Sequence, residues 1–205
     1  MNWLAHLFLS EKKTDFQLGN ILNDPMKGRY WIGASNELIM GMKTHQKIDS
    51  FTDSHDIVSK SKKCLREKGL LKAVVIDLTY DYFLTKNWQI FSHISLEEYL
   101  SDFYKEAALR KSTFPIKARD FVSNLIAYDF LSKYKSMDDL EKSFLRMDKR
   151  LSPRLLKRES TSSYYPAVCS NIDVLEKDFL EFFPLLCLHV KKNLDPKHLS
   201  HWKDI

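Results

Sequence analysis

Apolar residues recur at three- and four-residue spacing along most of the chain, which is the period of a helix with one buried face. The pattern predicts helices over residues 38–51, 73–88, 96–109, 121–134, 137–147 and 172–190. We expect Ser136 to cap the fifth of these and Pro184 to kink or divide the last. Clean alternation with a period of two is absent from the sequence. We therefore predict an all-α fold, a helical bundle.

The 205-residue chain has no internal repeat, low-complexity tract or flexible linker, which predicts a single domain over residues 1–205. Its 44% hydrophobic and 29% charged residues are typical of a folded globular protein. Three cysteines without CxxC spacing favour a reducing compartment. The apolar start of the chain is short and lacks a basic region, and no run reaches the roughly 18 apolar residues of a membrane span. We therefore expect a cytoplasmic protein that does not contact a membrane.

Two acidic residues fall on the apolar face of the helix predicted over residues 73–88. Asp77 and Asp81 are four residues apart and share an arc with Ile76, Tyr80 and Leu84. Like charges that are removed from water are costly unless a proton or a cation separates them. A bound metal would resolve this conflict. A helix rotated so that both carboxylates reach solvent explains the spacing equally well.

Histidines and acids recur together in other segments. His45 and Asp49 are four residues apart on one helical face, the spacing of paired metal ligands, although a simple ion pair has the same spacing. Imidazole and carboxylate ligands suit Mn, Fe or Mg. His6 lies within an apolar run, and Asp24 follows Asn20 by four residues. A core histidine and a helix cap explain these two separately, but several such segments together favour metal-assisted hydrolysis.

Positive charge is concentrated in acid-free runs. The net charge is +5, and residues 149–158 hold five cations and no acid: Lys149, Arg150, Arg154, Lys157 and Arg158. A second run carries Arg110, Lys111, Lys117 and Arg119. Such runs favour docking to an anionic partner, and a solvated helical face is the alternative. Charge alone leaves both nucleic acid and an acidic protein open.

Several motifs carry a resemblance to one family. They are residues 2–7 (NWLAHL), 19–24 (GNILND), 45–53 (HQKIDSFTD) and 77–84 (DLTYDYFL), followed by a basic motif at residues 147–150 and 153–155. In order and spacing they resemble the acyl carrier protein phosphodiesterase family over about residues 1 to 160. The resemblance implies an all-helical fold distantly related to the HD-domain phosphohydrolases.

The resemblance also implies an activity, a cofactor and a partner. The activity is hydrolysis of the 4′-phosphopantetheine group from holo acyl carrier protein, which leaves apo carrier protein. The cofactor is a divalent metal, typically Mn with Mg or Fe as alternatives, and the partner is the carrier protein rather than nucleic acid. Residues at the family's polar positions become candidate metal ligands: His6, Asp24, His45, Asp49, Asp77 and Asp81. Asp53 or Asp81 is then the candidate general base, Lys47 the phosphate contact, and the cations of residues 149–158 the docking surface.

The sequence departs from the family pattern at two positions. Tyr82 stands where relatives commonly have a histidine, and Gln46 where an arginine usually follows the motif histidine. One alternative function is an HD-type phosphohydrolase that acts on a nucleotide or small phosphodiester and does not need the basic run. Another is a non-catalytic helical module that binds an acidic partner and holds no metal.

Overall fold

Helices and short turns form the whole of the described fold. The computed structural model describes residues 1–204. The helices are α1 (Trp3–Phe8), α2 (Thr14–Leu22), α3 (Asn36–Ser54), α4 (Asp56–Leu65), α5 (Lys72–Lys86), α6 (Trp88–Phe91), α7 (Leu96–Arg110), α8 (Ile116–Ala127), α9 (Met137–Asp148), α10 (Pro153–Leu156), α11 (Tyr165–Ser170) and α12 (Ile172–Lys191). Over residues 1–204 the only β-pairing is one isolated bridge between Ser92 and Trp202. The predicted all-α class is confirmed, whereas the HD-like arrangement stays a prediction.

Some helix boundaries differ from those predicted. The Ser136 cap is confirmed, because its Oγ accepts from the backbone nitrogen of Asp139 at 3.1 Å. The helix predicted over residues 121–134 was wrong at both ends, since α8 begins directly after Pro115 and ends at Ala127. Asp129 stops it there with a left-handed φ of 46°. Pro184 does not divide the last helix, because α12 continues through the proline to Lys191, and the alternative of a kink there stays a prediction.

Two glycines allow α2 and α3 to lie against each other. A Cβ atom on Gly19 of α2 would collide with the backbone oxygen of Leu38, and one on Gly41 of α3 would collide with that of Phe16. The absence of both side chains permits backbone contact between the helices. This close approach places the end of α2 beside the middle of α3.

The helix α1 lies at the centre of the molecule. Residues 4–8 are completely buried, and α1 packs against α2 and α5. The C-terminal segment covers its end, where His201 and Trp202 both donate to the backbone oxygen of Phe8, at 2.8 and 2.9 Å. One continuous apolar core extends through the described helices. None of those helices is both long and apolar enough to cross a membrane.

Candidate metal centre

Three of the predicted ligands converge where α1 meets α3. Side-chain ligand atoms of His6, His45 and Asp49 lie within 4.8 Å of one another. The two imidazoles are stacked with their centroids 3.8 Å apart. Asp49 reaches both rings, with Oδ1 3.2 Å from His6 Nε2 and Oδ2 3.0 Å from His45 Nε2. Both histidines are buried while the Asp49 side chain is 38% exposed, so the cluster has access to solvent.

Asn20 of α2 supplies an oxygen acceptor for Nδ1 of each ring. Its Nδ2 donates to the backbone oxygen of His6 and to Ser10 Oγ, both at 2.9 Å. Its Oδ1 is therefore the acceptor for His6 Nδ1, at 2.9 Å. The backbone oxygen of Asn20 accepts from His45 Nδ1 at 2.6 Å. We assign a proton to Nδ1 of both rings, which directs both Nε2 atoms towards Asp49, the arrangement that oxygen acceptors impose on metal-bound histidines.

Two further carboxylates border the cluster. Asp24 Oδ1 lies 3.1 Å from His45 Nε2, and the Asp24 side chain is 65% exposed. Asp77 Oδ1 is 3.1 Å from the amino group of Met1, which is also 3.4 Å from Asp49 Oδ1. Among the predicted ligands, five therefore share one region of the molecule. This region contains three carboxylates, two imidazoles and the Met1 amino group.

The surroundings drive the pKa values of the two histidines apart. Burial, with a contribution from the neighbouring ring of His45, lowers the pKa of His6 to about 4. Burial acts in the same direction on His45, but hydrogen bonds to Asp24 and Asp49 outweigh it and raise its pKa to about 9. Burial would raise the pKa of Asp49, but its contacts with His45 and His6 hold that pKa well below the usual range. At neutral pH His6 is therefore neutral, and His45 carries a proton that a bound cation would displace.

The donor set fits a divalent cation. His6 Nε2 carries no proton in this tautomer, yet it faces two acceptors, Met1 O at 3.0 Å and Asp49 Oδ1 at 3.2 Å. Lone pairs that face one another at such distances need a proton or a cation between them. Two imidazole nitrogens with carboxylate oxygens form a set suited to first-row divalent ions.

Asp81 is engaged with the backbone of α1. Its side chain is completely buried, and its two oxygens accept from the backbone nitrogens of Leu4 and Ala5 at 3.0 and 3.1 Å. These are orphan donors in the first turn of the helix, so Asp81 acts as a cap supplied by α5. Burial, against the effect of these hydrogen bonds, raises the Asp81 pKa to about 7. Its role as a metal ligand or base stays a prediction.

Lys47 and Asp53 lie on α3 but have partners elsewhere on the surface. Lys47 Nζ donates to Asn193 Oδ1 at 2.8 Å, and the Asp53 carboxylate pairs with Lys62 Nζ at 3.0 Å. Neither belongs to the group of converging ligand atoms. Their catalytic roles stay sequence-based predictions.

The two positions that depart from the family pattern have different surroundings. Tyr82 is 9% exposed within α5. Gln46 is exposed beside the cluster, and its Nε2 donates to Asn23 Oδ1 at 3.4 Å. Of these two positions, Gln46 is therefore the one that is accessible to solvent and to a substrate.

The five cations of residues 149–158 are all exposed. Arg150 lines a groove that also contains Asp24 and Lys117, so cations from both acid-free runs meet beside the cluster. The two acid-free runs are visible in the sequence. Their proximity in the folded protein is not, because it depends on how α8 packs next to the turn after α9.

Sequence reasoning placed Asn20 on a shared face with Asp24 but gave it no chemical role. Its amide makes three hydrogen bonds to residues 6 and 10 of the chain. An asparagine between Gly19 and Ile21, in the mostly apolar run Leu18–Leu22 of α2, was the available signal.

The chain is similar to known proteins over nearly its whole length. The family model described as "Acyl carrier protein phosphodiesterase" matches residues 1–186. A protein of that name from Enterobacter sp. (strain 638) is 25% identical over 193 residues, which cover 93% of this chain and 98% of the relative. Proteins of the same name from Salmonella paratyphi A (strain ATCC 9150 / SARB42) and Salmonella agona (strain SL483) are 25% identical over 186 residues, 90% of this chain and 94% of theirs. No solved structure gives a significant match.

Proposed function

The chain belongs to the acyl carrier protein phosphodiesterase family, and we propose that it removes the 4′-phosphopantetheine group from holo acyl carrier protein with the help of a divalent metal. It is a hydrolase of a phosphodiester bond. Water adds to phosphorus, the bond from phosphorus to the carrier's serine oxygen breaks, and that oxygen takes up a proton. The products are apo carrier protein and free 4′-phosphopantetheine.

The observation that supports this proposal most directly is the convergence of His6, His45 and Asp49. These three would hold the metal, with Asp24 as the nearest further carboxylate on His45. Mn is the expected ion, since the donor set of imidazole and carboxylate accommodates it. When bound, the ion supplies positive charge that polarises the phosphoryl group and makes a water molecule more acidic.

Asp77 would accept the proton of the attacking water. Burial raises the pKa of Asp77, although the nearby amino group of Met1 acts in the opposite direction. About a third of the side chain, 30%, remains accessible to solvent. A carboxylate whose pKa lies above its usual value holds a proton better and is a stronger base. On the groove side, Lys117 and Arg150 would neutralise charge that develops on the phosphoryl oxygens.

The exposed cations at residues 149–158 would orient the carrier protein. Charges at the rim of an interface accelerate encounter and fix orientation, because they act over a distance in water. All five side chains are exposed, so they are available to acidic side chains of a partner. A small nucleotide substrate would not need this surface for binding.

Hydrolysis can be measured with purified protein, holo acyl carrier protein and Mn, with loss of the arm followed by intact mass. We expect wild-type protein to convert holo to apo carrier. His45→Ala should lower the rate about a hundredfold or more, because the metal's contribution to the barrier is several kcal/mol. His93→Ala is the matched control, an exposed histidine outside the cluster whose loss should leave the rate unchanged. Full activity of His45→Ala would contradict the proposed site.

A further inference from the structure

A groove extends along the start of α1, from the candidate metal centre to α8 and α9. Its first half has a volume of about 440 Å³ and contains Asp24, whose Oδ1 lies 3.1 Å from His45 Nε2. Its second half has a volume of about 370 Å³ and lies between α5, α8 and α9. Asn2 and Trp3 border both halves. The two halves therefore lie side by side with shared walls, and the half that contains Asp24 lies beside the metal centre.

The chemistry of the groove changes along its length. The half with Asp24 contains the cations Lys117 and Arg150, and the Arg150 guanidinium lies 5.2 Å from the centre of the Trp3 ring. The other half also contains Arg146, Lys149 and Arg150, but most of its surface is apolar, and Trp3 there meets Phe121 edge to face at 5.2 Å and Phe130 at 6.1 Å. An anion followed by an uncharged, largely apolar chain matches this order.

We propose that the second half, which we call the aromatic groove (Trp3, Leu78, Phe121, Asn124 and Phe130), binds the pantetheine arm during hydrolysis. This inference rests on the proposed function, because it assumes that the scissile phosphate lies at the metal centre. The arm continues from that phosphate as a neutral chain with a dimethyl-substituted carbon, two amides and a terminal thiol. Apolar walls suit the carbon chain, and the amides need only a few polar partners.

The dimensions and polar groups of the aromatic groove are consistent with this occupant. A volume of about 370 Å³ lies within the range of pockets that hold small molecules. The exposed amide of Asn124 supplies a hydrogen-bonding group in a lining whose surface is mainly apolar. The acidic polypeptide of the carrier is matched instead by the exposed cations Lys149 and Arg150 at the edge. The groove thereby gives selectivity for the arm, which a phosphodiester without one cannot use.

The aromatic groove can be blocked from its rim. Asn124 is exposed on α8, so Asn124→Trp should fill the groove without disturbing the core. Ser112→Trp is the matched control, an exposed polar residue in the preceding turn that does not line the groove. Phe130→Ala is the second variant, which removes part of the wall instead of filling the space. Thermal unfolding identifies the variants that fold.

Binding is measured with pantetheine, which lacks the phosphate, by isothermal titration calorimetry, and hydrolysis with holo carrier. We expect Asn124→Trp and Phe130→Ala to weaken pantetheine binding and raise the KM for holo carrier, each by about tenfold or more. Ser112→Trp should change neither value. Unchanged pantetheine binding in both groove variants would overturn the proposal. If the proposed function is wrong, wild-type protein will not hydrolyse holo carrier. The calorimetry would still show whether the aromatic groove binds pantetheine.

Discussion

At the residue scale, the geometry of both histidines depends on Asn20. The amide oxygen of Asn20 accepts from His6 and its backbone oxygen accepts from His45. Only the first of these bonds involves a side chain that mutation can remove. The amide nitrogen also satisfies two buried acceptors, the His6 backbone oxygen and Ser10 Oγ. A change at Asn20 should therefore alter His6 selectively and leave His45 in place.

Asn20→Ala should lower the affinity for Mn by about 10- to 100-fold, because His6 loses the acceptor that keeps its proton on Nδ1. The free energy of unfolding should fall by about 1–3 kcal/mol, since buried polar groups lose their partners. Titration calorimetry with Mn measures the first effect and urea unfolding the second. Asn87→Ala is the control, since its amide nitrogen, like that of Asn20, donates two hydrogen bonds, at 3.0 and 2.8 Å, but away from the site. An equal loss of Mn affinity in both variants would show that Asn20 only stabilises the fold.

The pairing of His45 with Asp49 could be predicted from the sequence because both lie on α3, where helical period alone sets their separation. The contribution of Asn20 could not, because its amide acts on α1 through contacts that only the packing of α1 against α2 creates. The structural role of Asp81 could not be predicted from the sequence for the same reason. Its position on an apolar face is visible in the sequence, but its bonds to the nitrogens of Leu4 and Ala5 are not.

At the element scale, the close contact of α2 with α3 places the site. Gly19 and Gly41 allow the two backbones to touch, and next to Gly19 the backbone oxygen of Asn20 reaches His45 at 2.6 Å. Apolar periodicity predicted α3 but carried no information on which helix it crosses. The helix predicted to end at Tyr134 ends at Ala127, shortly before Asp129 with its left-handed backbone. The apolar period does not reveal such a residue, so the predicted helix was too long at this end.

The C-terminal segment is a second element on which α1 depends, and its stability should depend on pH. Burial lowers the pKa of His201 to about 4, with a hydrogen bond to Phe8 acting the other way. Between pH 6.5 and 4 the unfolded chain binds a proton at His201 that the folded chain does not. Stability is therefore lost as pH falls through this range. From pH 7 to pH 5 the loss due to this one residue is about 2 kcal/mol.

His201→Phe should remove this pH-dependent loss. The substitution keeps a ring against Tyr99, on which His201 stacks at 5.0 Å, and it eliminates Nδ1, a buried atom without a hydrogen-bond partner within residues 1–204. The Phe8 backbone oxygen keeps its bond from Trp202 at 2.9 Å. Urea unfolding at pH 7 and pH 5 should show that the variant loses about 2 kcal/mol less than wild type on acidification. The exposed-residue control His93→Phe should retain the full loss, and identical losses in His201→Phe and wild type would refute this assignment.

At the scale of the whole molecule, the charged surface and the groove lie on connected parts of the protein. Arg150 belongs to the basic run and also lines the groove beside Asp24. A carrier held by the basic run would therefore present its serine near the metal centre with the arm directed into the aromatic groove. The sequence predicted the charge but not this continuity, since residues 24, 117 and 150 meet only through the packing of separate helices.

Reversing the charge of Arg154 and Arg158 to Glu should separate docking from chemistry. Both side chains are exposed, so the fold should be retained, and both belong to the run that we assign to carrier docking. The KM for holo carrier should rise by about tenfold at low salt with kcat nearly unchanged, because charges at an interface rim govern encounter more than the reaction. Added salt should bring wild type towards the variant, since screening acts over about 10 Å at 0.1 M ionic strength. Lys105→Glu with Lys177→Glu is the control of equal net charge on α7 and α12, and it should leave KM nearly unchanged. An equal KM increase in both double variants would show that net charge alone attracts the carrier, and a fall in kcat would place Arg154 or Arg158 in the catalytic machinery.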